Sequence, residues 1–290
     1  MNLSNGRVLI LGGKNSMLGK NLSSFFERVG CETLTTSGSE VDITDVAALE
    51  RFICNVKPDV VLNCAAVLRD ECSRNPTLGY KVNVKGVQNL TYVCKINNFV
   101  PVFFSSGEVF RGTNTFQIFR EDTSPAPENI YGQQKLEAEH IITKNLDKYY
   151  ILRFSLLFGP YQNPRNFVSK ILLASETNPY RCSKYQFESP TYAPDLAKLV
   201  YYLIDSNYSY GTYHAFNPSG IANSYPSRFD LSISIAQKLG LSSSRVAAKM
   251  TEKSYYNLLG SNISPIESCF FNLNNAVDKY CSLLRKSLTI

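Results

Sequence analysis

Arg7-Val8-Leu9-Ile10-Leu11-Gly12-Gly13-Lys14-Asn15-Ser16-Met17-Leu18-Gly19 is an apolar, β-rich run that breaks on glycines and opens directly into a segment with helical spacing. A strand that turns tightly into a helix brings backbone N–H groups and the positive helix end together, which is a seat for phosphate. Gly13 and Gly19 take the first and third places of a Gly-x-x-Gly-x-x-Gly pattern, and Ser16 stands where the middle glycine belongs. A Cβ at that middle place is expected to cost about 1 kcal/mol if the turn needs φ > 0 there.

The same alternation continues outward. Arg7 to Leu11, Cys31 to Thr35, Val60 to Asn63, Val100 to Ser105 and Tyr149 to Phe154 read as strands; Leu18 to Val29, Val46 to Val56, Gly79 to Asn97 and Tyr131 to Leu146 carry apolar residues at helical spacing. Strand and helix in strict alternation predict an α/β fold, a Rossmann-type doubly wound parallel sheet with helices on both faces. Beyond Gly159 the alternation weakens, Pro and Tyr become frequent, and a helix from Arg228 to Leu239 precedes a polar, turn-rich C-terminal stretch. The expected division is a cofactor-binding domain at 1–158 with 186–216 returning to it, and a smaller C-terminal substrate lobe from 159–185 and 217–290.

Composition narrows the function classes. The chain has 290 residues, 44% hydrophobic and 19% charged, and a formal charge of +6 without a run of Lys and Arg that would mark a nucleic-acid or membrane patch. No stretch approaches the roughly 20 apolar residues of a membrane span, and the N-terminal apolar run is too short for a signal peptide. Cys31, Cys54, Cys64, Cys72, Cys94, Cys182, Cys269 and Cys281 form no Cys-x-x-Cys pair, and His140 and His214 lack acidic or Cys neighbours at ligand spacing. The expectation is a cytoplasmic protein with reduced thiols, no metal, no nucleic acid and no membrane, with a homodimer left open.

Tyr131 and Lys135 lie four residues apart at the start of a helix, which stacks them on one face. An ammonium beside a phenol favours phenolate and lowers its pKa towards the range of a general acid or base. A second copy of the spacing, Tyr180 with Lys184, reads as chance in the substrate lobe. Context separates them, because Tyr131 follows a strand ending in Ser105-Ser106-Gly107-Glu108 and precedes another strand.

With Asp42-Ile43-Thr44-Asp45, Asn63-Cys64-Ala65-Ala66, Val82-Asn83-Val84-Lys85-Gly86 and Tyr131-Gly132-Gln133-Gln134-Lys135, the sequence resembles the extended short-chain dehydrogenases/reductases. Arg165-Asn166-Phe167-Val168, the Ser189 to Ala197 block and Gly211-Thr212-Tyr213-His214 bring it nearest to the dTDP-4-dehydrorhamnose reductase family. The resemblance implies that Tyr131 is the acid, Lys135 its electrostatic partner and nicotinamide-ribose ligand, and Ser106 the hydroxyl on the substrate carbonyl. It implies further that Gly13, Ser16, Met17, Leu18 and Gly19 meet the pyrophosphate, Asp42 and Ile43 the adenine, and Ala65 and Ala66 the middle of the cofactor. Asn83 is a candidate for cofactor contact, helix shaping or proton relay. Departures from the family pattern fall at Leu68, Gly107, Glu108, Leu156 and Ser264.

The implied activity is NADPH-dependent reduction at C4 of a nucleoside-diphosphate-linked 4-keto-6-deoxyhexose. The second strand runs out into Thr35-Thr36-Ser37-Gly38-Ser39 without a carboxylate, which favours NADP, with NAD open. The alternatives are a nucleotide-sugar epimerase or dehydratase, and a non-catalytic NADP-binding regulatory subunit.

Overall fold

The computed structural model describes residues 3, 5–110, 112–161, 166–219, 225–249, 254–263 and 269–288. Along the chain run β1 (Arg7–Leu11), α1 (Met17–Arg28), β2 (Glu32–Thr35), α2 (Val46–Val56), β3 (Val60–Asn63), α3 (Arg69–Arg74), α4 (Pro76–Tyr80), a π-helical turn (Lys81–Gly86), α5 (Val87–Asn97) and β4 (Val100–Phe104). There follow β5 (Ile118–Phe119), α6 (Ile130–Asn145), β6 (Tyr150–Phe154), β7 (Leu157–Phe158), α7 (Phe167–Leu173), β8 (Tyr180–Ser183), β9 (Gln186–Glu188) and β10 (Thr191–Tyr192). The chain then passes through α8 (Ala193–Asp205), β11 (Gly211–Ala215), α9 (Arg228–Lys238), β12 (Val246–Lys249), β13 (Tyr255–Leu259) and α10 (Leu273–Leu288).

Six strands form the central sheet in the order β11-β6-β4-β3-β1-β2, and every pairing is parallel. The order reverses at β1, as in a doubly wound sheet, and the reversal opens a crevice at the carboxyl ends of β1 and β3. Successive residues of β1 feed opposite cores. Val8 and Ile10 pack with Leu22 and Phe26 of α1 and Leu196 and Val200 of α8, while Leu9 and Leu11 pack with Leu49 and Ile53 of α2 and Leu90 of α5. Burial on both faces explains why these strands read as unbroken apolar runs.

A further apolar cluster joins Phe158, Phe167, Ile171 and Tyr192 to Ile235 of α9 and to Val277, Tyr280 and Leu284 of α10. Short parallel pairs, β8 with β12 and β9 with β13, flank it. The block at Thr191 to Asp195 ties this cluster to the sheet. Thr191 Oγ1 donates to the Ala215 carbonyl at 2.8 Å, and Asp195 accepts from Asn217 at 2.7 Å and from Phe271 N at 3.1 Å.

Two segments differ from the sequence expectation. The helix expected over Gly79 to Asn97 is interrupted by the π-helical turn, because Asn83 is drawn sideways by Val67 and Gln134. The C-terminal stretch expected to be turn-rich holds α10, whose Leu273, Val277, Tyr280 and Leu284 stripe is buried. Among the described residues no helix is long and apolar enough to cross a membrane.

Candidate active site

A cavity of about 280 Å³ opens at the reversal point of the sheet. Ser16, Met17 and Leu18 form one wall, Asn63, Cys64, Ala66 and Leu68 the base, and Ser105, Tyr131 and Lys135 the facing wall. Phe154, Leu157 and Asn166 close it towards the rest of the chain. Residues scattered from 16 to 166 meet here because the ends of β1, β3, β4 and β6 lie side by side in the sheet.

The glycine-rich turn is held by sterics. Gly12 has φ +67°, and a Cβ there would lie 2.6 Å from Ala65 Cα. A Cβ on Gly19 would lie 2.2 Å from Gly13 Cα, so this pair lets the helix start against the strand end. Ser16 corrects the expected strain: its φ is −101°, an extended conformation open to any residue. Its hydroxyl caps α1 by accepting from Gly19 N at 2.9 Å.

Asn129 caps α6 by accepting from Gly132 N at 2.9 Å, which places Tyr131 and Lys135 in the first turns. Lys135 is buried and donates to the Phe104 carbonyl at 2.9 Å, with its ammonium 5.7 Å from the centre of the Tyr131 ring. Burial pushes its pKa down to about 8, against the opposing pull of Cys72, Glu139 and Cys64. The Tyr131 phenol is hydrogen-bonded to Ser106 and stands above its usual range, chiefly through burial and then through Cys72 and Glu108. Burial thus moves the phenol in the direction opposite to the lowering by Lys135 that the spacing predicted.

Ser106 Oγ also accepts from Glu108 N at 3.1 Å. Glu108 is nearly buried, paired with Arg69 at 2.8 Å and accepting from Asn129 at 2.6 Å. Burial raises its pKa despite Arg69. Gly132 is required here, since a Cβ on it would lie 2.1 Å from the Glu108 carbonyl oxygen.

Of the other predicted residues, Ala66 and Leu68 line the cavity, and the rest make contacts elsewhere. Ala65 N donates to Asn63 Oδ1 at 3.2 Å, Asp42 accepts from Thr44 N at 2.9 Å, and Ile43 packs on Gly86 of the π-helical turn. Asn83 has its amide engaged inside the protein: Oδ1 accepts from Val67 N at 2.9 Å, and Nδ2 donates to Val67 O at 3.0 Å and Gln134 Oε1 at 3.1 Å. Of its three readings, helix shaping describes these contacts. Leu68 is half exposed at the cavity, Gly107 O accepts from Asn257 at 3.1 Å, and Leu156 packs on the second cluster. Ser264 and Arg165 lie outside the described residues.

Sequence reading missed the support behind Lys135. Glu139 and Arg153 form a buried ion pair at 2.6 Å, and Glu139 accepts from Ser105 Oγ at 2.5 Å. Glu139 continues the Tyr131, Lys135 row by one more turn, which was the available signal. Beyond β2, Glu40 folds back so that a carboxylate does stand at the strand end, where Thr35 to Ser39 had promised none. Among the described residues no group of His, Cys, Asp and Glu could hold a metal ion.

Residues 6–264 match the RmlD substrate binding domain family. The chain belongs to this family. It is 31% identical over 218 residues to a dTDP-4-dehydrorhamnose reductase of Streptomyces griseus, covering 73% of this chain and 71% of that protein. The crystal structure of a Bacillus anthracis dTDP-4-dehydrorhamnose reductase in complex with NADP superposes with a TM-score of 0.84 at 25% identity, covering 95% of this chain and 98% of that one. Methionine adenosyltransferase 2 subunit beta of Pongo abelii is also similar, 26% identical over 261 residues and covering 85% of this chain and 76% of that protein. Proteins similar to this chain thus carry names from two different kinds of function.

Proposed function

We propose that the protein is an NADP-dependent reductase of a nucleotide-linked 4-keto-6-deoxyhexose, with hydride directed to C4 and Tyr131 as proton donor. The observation that carries the reading is one cavity whose walls are the capped start of α1 and the Tyr131, Lys135 pair, with Ser106 hydrogen-bonded to the phenol. Likeness to named reductases supports the substrate class and the cofactor. In this reading 1–158 with 186–216 binds cofactor, 159–185 and 217–290 forms the substrate lobe, and the protein works in the cytoplasm, where buried thiols such as Cys31, Cys72 and Cys281 stay reduced.

The turn at Gly12 and Gly13 and the N–H groups at the start of α1 would hold the pyrophosphate, with Ala65 and Ala66 beside the middle of the dinucleotide. NADPH, when bound, supplies the hydride. Ser106 donates a hydrogen bond to the substrate carbonyl oxygen, a contact that strengthens as charge develops there. Tyr131, protonated at neutral pH, gives its proton to that oxygen, and the Lys135 ammonium stabilises the phenolate left behind. Glu139 and Arg153 keep Lys135 and the Ser105, Ser106 strand end in place.

A panel of nucleotide-linked 4-ketosugars with NADPH oxidation as readout tests this, turnover of at least one being the expected result. A second reading, the non-catalytic NADP-binding subunit, is favoured by the likeness to methionine adenosyltransferase 2 subunit beta. NADPH binding without turnover of any member of the panel decides for it.

A further inference from the structure

The Glu139 carboxylate is held by several groups at once. Its Oε1 accepts from Arg153 Nε at 3.0 Å, and its Oε2 accepts from Arg153 Nη2 at 2.6 Å and from Nε at 3.2 Å. Ser105 Oγ, at the end of β4, donates to Oε1 at 2.5 Å. Only 7% of the Arg153 side chain and 5% of the Glu139 side chain is exposed. Glu139 lies four residues beyond Lys135 on α6, one turn along the same face. A cavity of about 20 Å³ is lined by both of these side chains, by Asn63 and Ser105, and by apolar neighbours such as Ala138 and Ile151.

A cavity above roughly 15 Å³ has room for one water, and a buried water takes two to four polar partners. Four polar residues line this one. An ammonium carries three donors, and Lys135 Nζ directs one to the Phe104 carbonyl at 2.9 Å. The titratable groups around it come from several elements: Tyr131 and Glu139 from α6, Cys72 from α3 and Cys64 from just beyond β3, with Arg153 of β6 on the carboxylate. Burial pushes both thiols up, so they are neutral at pH 7. Of the three groups that favour the charge on Lys135, namely Cys72, Glu139 and Cys64, only Glu139 is then an anion.

Resting on the reading of Tyr131 and Lys135 as the proton-handling pair, we propose that Glu139 is the counter-ion of Lys135, joined to it by a water held in this cavity, and that the link sets the alkaline limit of reduction. The water accepts from Lys135 Nζ and donates to the Glu139 carboxylate. The ammonium must keep its charge to stabilise a phenolate, and burial opposes that charge. A carboxylate across one water restores part of what burial removes, because Coulomb attraction is stronger inside the protein than in bulk water. Arg153 acts in the other sense, as a like charge held on the same carboxylate. Glu139 does not line the active-site cavity; it is a positioning residue that acts through Lys135.

The test is the pH dependence of kcat for the purified full chain on an accepted 4-ketosugar with saturating NADPH, with circular dichroism to check each fold. Removing the anion by Glu139→Gln is expected to move the alkaline decline down by about one pH unit, and removing the like charge by Arg153→Met to move it up by about half a pH unit. An ion pair that only holds the end of β4 in place would lower kcat in both variants and move the decline in neither. That result overturns the proposal while leaving the reductase reading intact. Where a buried-charge variant fails to fold, Ala138→Val carries the test, because it fills the cavity and leaves every charge in place. It is expected to move the decline down by about half a pH unit, and an unmoved decline in the folded variant overturns the link through water. Wild-type protein that turns over no 4-ketosugar overturns both readings.

Discussion

Two stretches of this chain carry the same Tyr-x-x-x-Lys spacing, and the structure gives them opposite fates. Tyr131 and Lys135 sit on α6, where residues four apart lie one turn above the other, and the ammonium stays within 5.7 Å of the ring centre. Tyr180 opens β8 and Lys184 follows its end. Along an extended chain four residues span roughly 13 Å. The two side chains part accordingly: Tyr180 bonds to Arg228, and Lys184 lies 4.8 Å from the Phe229 ring centre. Spacing confers chemistry only in the secondary structure that converts it into contact.

Four substitutions break or sharpen the comparison. Tyr131→Phe removes the proposed proton donor and little else; turnover on an accepted 4-ketosugar should fall by about 100-fold or more, with NADPH affinity and unfolding temperature nearly unchanged. Wild-type turnover in steady-state assays would remove Tyr131 from the mechanism.

On the proposed reading, in which the ammonium serves phenol and ribose together, Lys135→Met should lower both turnover and NADPH affinity, each by about tenfold or more. Its pH behaviour has a definite sign. The folded pKa of about 8 lies below the unfolded value, so between pH 8 and roughly 10.4 the unfolded chain binds the extra proton and wild-type stability gains as pH rises. Below pH 8 the folded protein bears the cost of the buried charge. Lys135→Met should therefore unfold no earlier than wild type at pH 7, whereas wild-type reduction should decline as pH passes about 8. An unfolding midpoint well below wild type at pH 7 would contradict this.

Ser16→Gly is a smaller test, aimed at the wall opposite Tyr131. The hydroxyl caps α1, and glycine at an N-cap costs a few tenths of a kcal/mol relative to serine; NADPH affinity should stay within about threefold. A loss beyond tenfold in titration would make the hydroxyl a phosphate ligand. Tyr180→Phe should do least: turnover and NADPH affinity within about twofold of wild type, and stability lowered by about 1 kcal/mol at most from the lost bond to Arg228. A large fall in turnover would place the second copy in the reaction after all.

The parallel sheet was legible because both faces of β1, β3, β4 and β6 are covered, which leaves unbroken apolar runs bounded by turns. The Tyr131, Lys135 pair was legible because helical periodicity converts spacing into neighbourhood within one element. α10 was harder to read, since its stripe of Leu273, Val277, Tyr280 and Leu284 is interleaved with Asn and Lys and finds its partners in α9 and near Phe158. The break at Asn83 was invisible, because it depends on Val67, Cys72 and Gln134 arriving from three other segments.

From its residues alone the chain thus determined its layer order, its glycine-rich turn and the phenol–ammonium pair, all set by periodicities and sterics acting within a few residues. Tertiary structure alone decided that burial raises the Tyr131 phenol, that Glu139 and Arg153 brace Lys135, and that Glu40 returns to Lys14. Burial and Coulomb forces act between groups that the fold brings together, and no local pattern records which groups those will be.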